Sequence, residues 1–301
     1  MVELPTGTVT FLFNEALRRQ RRLPGRRRYV PEPMQISATG LIHYPRVKDR
    51  LATHFVPFSQ FEADAANGDL PDLSLIKPCI TIGHNDYHPA YGRAMGHGAA
   101  LRSVDPPSSI LGGEVFLSRI YEAYRGMQSS TGTNVWNTTP LIGWDEPGGT
   151  YDHVPPGPVP PPDAAAPVGE CGFTFDRSGY RVPAVIVSPW VAEGAVFNQE
   201  HRHTSLIATL REQWSLGDAF TRRDAAARTF SHAFTLDTPR DPSSWPVPEP
   251  RPVPRFMEDD AALSRTIDAR QDVPRRDSWM RPAERHQARR AARRPQRRHS
   301  P

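Results

Sequence analysis

The feature that most constrains the fold is an alternation of short apolar segments with amphipathic segments between residues 57 and 214. The stretch FSQFEADAANG predicts a short helix that ends at Gly68, and LPDLSLIKPCITIG after it predicts one or two β segments. Residues 113–127 repeat apolar side chains at steps of three and four, which predicts a second helix.

The same order continues towards residue 214. TTPLIGWDE predicts a buried strand that carries two acids at its carboxyl end, and the β-branched and apolar run RVPAVIVSPWV predicts another buried strand. Residues 204–214 predict a third amphipathic helix. Because strands alternate with helices, we expect an α/β fold with a mainly parallel sheet covered on both faces.

Proline limits how much of the chain this fold can contain. The 301 residues include 33 prolines, about twice the usual share, so a good part of the chain must be loop or tail. We therefore expect an irregular N-terminal segment over 1–45, an α/β domain over 46–235, and a disordered tail rich in proline and arginine over 236–301.

The charges are distributed unevenly along the chain. Residues 18–28 contain seven arginines and no acid, and residues 273–301 carry a net charge of +8. Since the whole chain has a net charge of +4, the remainder carries −11. An acidic body suits a site that binds metal ions and argues against a basic nucleic-acid cleft.

Membrane and export signals are weak in this sequence. No apolar run approaches the ~18 residues that a membrane helix needs. The apolar stretch near the N-terminus precedes its arginines and has no small-residue cleavage site, which is the reverse of a secretory signal. We expect either a cytoplasmic location for the chain as it stands or a natural start that is missing.

The segment WDEPGGTYDHV, residues 144–154, has the densest set of residues suited to chemistry. It combines two adjacent acids at a strand end, a Gly-Gly loop and an Asp-His pair. Hard divalent ions prefer carboxylate oxygens, imidazole can complete a zinc or manganese site, and glycine lets the loop bend around an ion. An acidic strand end followed by an ordinary turn would give the same pattern.

The chain resembles the phosphoesterase family that includes bacterial phospholipases C and acid phosphatases, a branch of the alkaline phosphatase superfamily. The resemblance spans roughly residues 40–235 and is carried by the following stretches: FEADAANGDLPDLSLIKP, HNDYHPA, GGEVFLSRIYEAY, WNTTPLIGWDEPGGTYDHV, FDRSGYRVPAVIVSP and HRHTSLIATLREQW. It implies a three-layer sandwich like that of alkaline phosphatase, incomplete in this chain, with disordered termini.

The resemblance also implies a divalent metal ion held by Asp145 and Glu146 at the strand end. It places His153 near the site, where it would donate a proton to the leaving alkoxide or orient a ligand. The alternative is that Asp152 and His153 only fasten the loop by hydrogen bonds.

Two further segments supply candidates. The family puts metal ligands in the loop that contains HNDYHP, where Asp86 and His88 are the better candidates and His84 could substitute; an ordinary surface loop is the alternative. His203, at the start of a predicted helix, is a catalytic candidate as a further ligand or a phosphate contact. Beside it, Thr204 or Ser205 could simply cap the helix.

The sequence departs from the family in one respect. Family members carry a Glu-Asn metal-binding motif and later a Ser or Thr nucleophile, and residues 1–56 contain neither in the expected context. Phosphoryl transfer in the family needs the nucleophile and the metal together, so loss of the nucleophile would cost many orders of magnitude in rate.

Three functions therefore remain open. The first is a metal-dependent phosphoric ester hydrolase resembling phospholipase C, which acts on a phosphodiester or phosphomonoester such as a phospholipid head group. The second is a truncated, inactive relative that lacks the nucleophile and the first metal-binding motif. The third is binding of anionic surfaces through the arginine-rich ends, although a solvated basic tail is the simpler interpretation.

Overall fold

A six-stranded mixed sheet organises the chain in this computed structural model, which describes residues 8–14, 27–30, 55–78, 85–89, 94–95, 102–103, 109–163, 168–250 and 252. The strands and α-helices in chain order are β1 (Thr8–Asn14), β2 (Arg27–Val30), β3 (Phe55–Pro57), α1 (Phe58–Asn67), β4 (Leu73–Ile76), β5 (Ala94–Met95), β6 (Arg102–Ser103), α2 (Ile110–Arg125), β7 (Thr138–Trp144), β8 (Ala184–Ile186), α3 (His203–Trp214) and α4 (Arg222–Ala225). Strands β5 and β6 form a separate two-stranded sheet.

The strand order in the large sheet is β3-β2-β4-β1-β7-β8. Strand β2 pairs in parallel with β3 and β4, whereas β1 runs antiparallel to both β4 and β7, and β8 runs antiparallel to β7. The α/β class is confirmed, but the sheet is mixed rather than mainly parallel. The reason is that β1 inserts antiparallel between β4 and β7, two strands that share one direction.

Two hydrophobic clusters lie on opposite faces of β4, because neighbouring residues of a strand point to opposite sides. Ile76 packs in a cluster built mainly from α1 and α2, and Leu75 packs in a second cluster with residues of β7 and α3. The largest members of the first cluster are Phe61, Phe116, Tyr124 and Met127, and those of the second are Leu141, Leu206, Leu210 and Phe230. Helices therefore cover both faces of the sheet.

Helix α1 follows the prediction from its sequence. It ends at Gly68, which adopts a left-handed conformation with φ of 80° and donates its N–H to the carbonyl of Ala65. Glycine suits this position because it carries no Cβ that would clash there. Phe58 and Phe61 face the first cluster, as an amphipathic helix requires.

Three segments differ from the sequence-based expectation. Strands β1 and β2 lie in residues 1–45, for which no regular element was expected. Strand β8 is short and exposed rather than buried, with Val185 43% exposed, because among the described strands it pairs only with β7 and lies at the sheet edge. Ordered structure also continues past residue 236, since Trp245 is 6% exposed within the first cluster.

The helices of the described residues include none that is both long and apolar enough to cross a bilayer. The longest of them, α2, has 16 residues and buries one face against the sheet and α1.

Trp245 offers a test of where the folded structure ends. Its ring lies 6.1 Å from that of Tyr124, and the Arg240 guanidinium lies 5.4 Å above it. Trp245→Ala should therefore lower the free energy of unfolding by about 3 kcal/mol, measured by urea denaturation. Val247→Ala is the control, because Val247 is 58% exposed and its loss should change stability by less than about 0.5 kcal/mol. Equal stability of the two variants would contradict the packing.

Candidate functional site

The carboxyl ends of β4 and β7 lie at the same edge of the sheet, because both strands run antiparallel to the β1 between them. Asp145 and Glu146 follow β7 directly at this edge. Residues 85–89 follow β4 in the chain and contact the end of β7. The topology therefore brings together two of the segments that the sequence singled out.

Backbone N–H groups orient both carboxylates of the acid pair. The N–H of Glu146 donates to Oδ1 of Asp145 over 3.0 Å, and the N–H of Gly148 donates to Oε2 of Glu146 over 2.8 Å. Both Gly148 and Gly149 have positive φ, 63° and 77°, which lets the chain turn sharply after the acids. The carboxylates are thus fixed by their own turn.

The segment 85–89 is held against this turn by ring packing. The Tyr87 ring meets the Trp144 ring edge to face, with centroids 5.9 Å apart. On its other side it packs against Gly113 of α2, where any Cβ would overlap the ring. Burial, followed by the charge of Glu114, raises the pKa of Tyr87, so this hydroxyl is neutral at physiological pH.

Asp86 and His88 have different environments within this segment. Asp86 is buried, and its Oδ1 lies 3.4 Å from the N–H of His88. His88 is half-buried, with Nδ1 2.8 Å from the carbonyl of Pro89. Because a carbonyl can only accept, Nδ1 carries the proton and Nε2 keeps its lone pair in the neutral ring. This is the tautomer in which histidine commonly binds a metal through Nε2.

His203 lies on the same strand end as the acid pair. It is the first residue of α3, and its Nε2 donates to the carbonyl of Trp144 over 2.8 Å. The neighbouring Ser205 hydroxyl accepts the N–H of Arg202 at 2.9 Å, so Ser205 contributes to the cap at the helix start. The ring is therefore held beside residue 145, with Nδ1 unprotonated when the imidazole is neutral.

Asp152 fastens the far end of the loop that follows the acid pair. Its two oxygens accept from Nε and one terminal nitrogen of Arg181, each at 2.8 Å, and Oδ1 also accepts the N–H of Val154. These hydrogen bonds, with the Arg181 contribution the larger, hold the pKa of Asp152 well below its usual range. His153 instead exposes 81% of its side chain, and its Nδ1 lies 3.7 Å from Asp152.

The predicted residues thus separate into two sets. Asp145, Glu146 and His203 share one strand end, and the segment with Asp86 and His88 packs against it, while His153 points into solvent. Within the described part of the chain, no three His, Cys, Asp or Glu side chains converge on a point that could hold a metal ion. His84 lies outside the described residues.

The donor chemistry of the acid pair nevertheless fits a hard divalent cation. Each carboxylate has about four lone-pair positions, so a carboxylate that accepts a backbone hydrogen bond can also coordinate a cation. Sequence reasoning missed Arg181, which anchors Asp152 at the far end of the loop that follows the acid pair. The only signal for it was that Asp152, next to the Gly-Gly turn, needs a cationic partner.

Comparison with known proteins adds a family relationship. The Phosphoesterase family matches residues 37–217, more than half of the chain. Non-specific phospholipase C6 of Arabidopsis thaliana is 35% identical over 224 residues, which cover 68% of this chain and 38% of the relative. Phospholipase C B of Mycobacterium tuberculosis (strain ATCC 25618 / H37Rv) is 28% identical over 205 residues, 64% of this chain and 34% of the relative. The chain thus spans little more than a third of the length of these relatives.

The contact between the two loops can be tested at the Gly-Gly turn. A Cβ added at Gly148 would lie 2.6 Å from Cδ of Pro89, whereas a Cβ at Gly149 would meet nothing within 4 Å. Both glycines have positive φ, so alanine at either costs about 1 kcal/mol in backbone strain. Gly148→Ala should lower the free energy of unfolding by roughly a further 1–3 kcal/mol, because its Cβ would overlap Pro89. Chemical denaturation of both variants measures this difference. Equal costs for the two variants would contradict the loop contact.

The ion pair of Asp152 predicts a specific pH dependence. A carboxylate whose pKa is depressed in the folded state stabilises that state above its unfolded pKa, and this stability is lost as pH falls through the folded pKa. Asp152→Asn should therefore lower the melting temperature above about pH 5, and the deficit should shrink below about pH 4.

Arg181→Gln is the matched control for this effect. It should reproduce the same deficit, and the double variant should lose no more than either single variant, because both changes remove one interaction. A deficit that stays constant down to about pH 2 would contradict a contribution from the ionised pair.

Proposed function

Because the chain belongs to the Phosphoesterase family, we propose that it is a metal-dependent phosphoric ester hydrolase. It acts on a phosphodiester or phosphomonoester, such as a phospholipid head group. The observation that supports this most directly is the meeting of the Asp145–Glu146 pair, His203 and the segment 85–89 at one edge of the sheet. The substrate class follows the names of the relatives, which are phospholipases C.

Asp145 and Glu146 would hold the metal ion, with Asp86 and His88 as the further candidate ligands. Backbone N–H groups of the turn at Gly148 orient both carboxylates. A bound divalent cation would neutralise negative charge on the oxygens of the phosphoryl group that is transferred. We also propose that the chain adopts the three-layer, alkaline phosphatase-like arrangement that the family resemblance implies.

His203 would contact the phosphate from the start of α3. Its Nε2 donates to the carbonyl of Trp144, so Nδ1 is the ring nitrogen left to contact a phosphate. The N-terminal end of a 12-residue helix favours a nearby anion through the helix dipole. His203 and the start of α3 would thus contact a phosphate held at the acid pair.

The decisive experiment is hydrolysis of p-nitrophenyl phosphate and p-nitrophenylphosphorylcholine by the full chain, with and without added divalent metal. We expect a metal-dependent rate that falls about a thousandfold in Asp145→Asn, because the change removes a charged ligand and keeps the size of the side chain. Glu193→Gln is the control, since this carboxylate exposes 89% of its side chain outside the site.

The outcomes separate the alternatives. A metal-dependent rate that Asp145→Asn leaves unchanged would exclude the acid pair as the metal site. Metal binding by calorimetry without any hydrolysis would instead support the inactive relative that lacks a nucleophile.

A further inference from the structure

The loop that follows the acid pair continues into an exposed surface, which we call the rim and define as residues 151–162 and 173–181. Four of its large apolar side chains are exposed: Tyr151 by 91%, Tyr180 by 61%, Phe173 by 43% and Val154 by 37%. Exposed apolar residues scattered singly need no explanation, but a group on one continuous surface beside a candidate site indicates an interaction.

The two halves of the rim form one surface because hydrogen bonds join them along their length. The N–H of Val159 donates to the carbonyl of Asp176, and the N–H of Ser178 donates to the carbonyl of Gly157. At the end nearest the acid pair, Asp152 and Arg181 form their bidentate pair. Tyr151 and Tyr180 are the residues immediately before these two, so the ion pair joins the backbone positions that carry the two exposed tyrosines.

The charges of the rim balance. It contains Asp152 and Asp176 against Arg177 and Arg181, and no lysine. A protein surface for anionic membranes would instead carry a cluster of basic residues. Balanced guanidinium and carboxylate groups between aromatic rings complement a zwitterionic headgroup layer, in which the phosphate meets arginine and the quaternary ammonium meets tyrosine faces.

We propose that the rim docks the protein on the surface of a zwitterionic phospholipid bilayer, with Tyr151 and Tyr180 inserted at the headgroup level. Tyrosine suits this depth because its ring is apolar and its hydroxyl stays hydrated. The rim begins five residues after Glu146, so docking brings the candidate site to the layer that contains phosphodiesters. The inference rests on the proposed function, because a hydrolase of phospholipid head groups must approach a lipid surface. Its test is nevertheless independent of catalysis.

The test is flotation of the full chain with vesicles of pure phosphatidylcholine, at low salt and at about 0.5 M NaCl. We expect binding that salt leaves nearly unchanged, because the contact is driven by ring insertion. Tyr151→Ala and Tyr180→Ala should each weaken partitioning about fivefold, and the double variant about 25-fold. Tyr151→Phe should retain binding, and Val247→Ala, which truncates an apolar side chain outside the rim that is 58% exposed, should not weaken it.

Several results would overturn the docking surface. Binding only to vesicles with phosphatidylserine, lost at high salt, would assign membrane contact to the arginine-rich ends. Absence of vesicle binding together with dimers in sedimentation velocity would assign the rim to self-association. Melting temperatures of the variants establish that they are folded. Hydrolysis of p-nitrophenylphosphorylcholine without vesicle binding would contradict membrane docking by the rim and leave the proposed function intact. Vesicle binding without any hydrolysis would contradict the proposed function and leave docking by the rim intact.

Discussion

The shared direction of β4 and β7 is the constraint on which the candidate site depends. Both strands pair with β1 in antiparallel register, so their carboxyl ends meet at one edge although 61 residues separate Ile76 from Thr138. The Tyr87–Trp144 ring contact and the approach of Pro89 to Gly148 then hold the two following loops together. Without this shared direction the acid pair would face solvent far from the second loop.

The sequence predicted the local elements well where side-chain periodicity was strong. Helix α1, its glycine end and the strand that delivers Asp145 follow directly from spacing and composition. Insertion of β1 could not be predicted, because strand direction is set by pairing between distant segments and leaves no periodic signal in either one. The burial of Trp245 was missed for a related reason: proline-rich flanks predict loop, and a loop can still bury one aromatic side chain in a core.

The candidate site shows the same division between local and distant information. Asp145 and Glu146 were identifiable because adjacent acids at a strand end precede two glycines. His153 and His203 were both catalytic candidates from the sequence, yet His203 contacts a carbonyl at the strand end, whereas His153 exposes 81% of its side chain. The placement of His203 at the end of β7 thus depends on a contact across 59 residues of sequence.

The six prolines of residues 155–162 have a consequence for association kinetics. Each fixes its own φ, and the carbonyls of Pro156 and Pro160 accept hydrogen bonds from Arg177 and Arg223, so this long connection is already ordered in the free protein. A surface of this kind loses little conformational entropy when it meets a partner. Its encounters should therefore be limited by diffusion and orientation, and residence time should depend on the few side chains that insert.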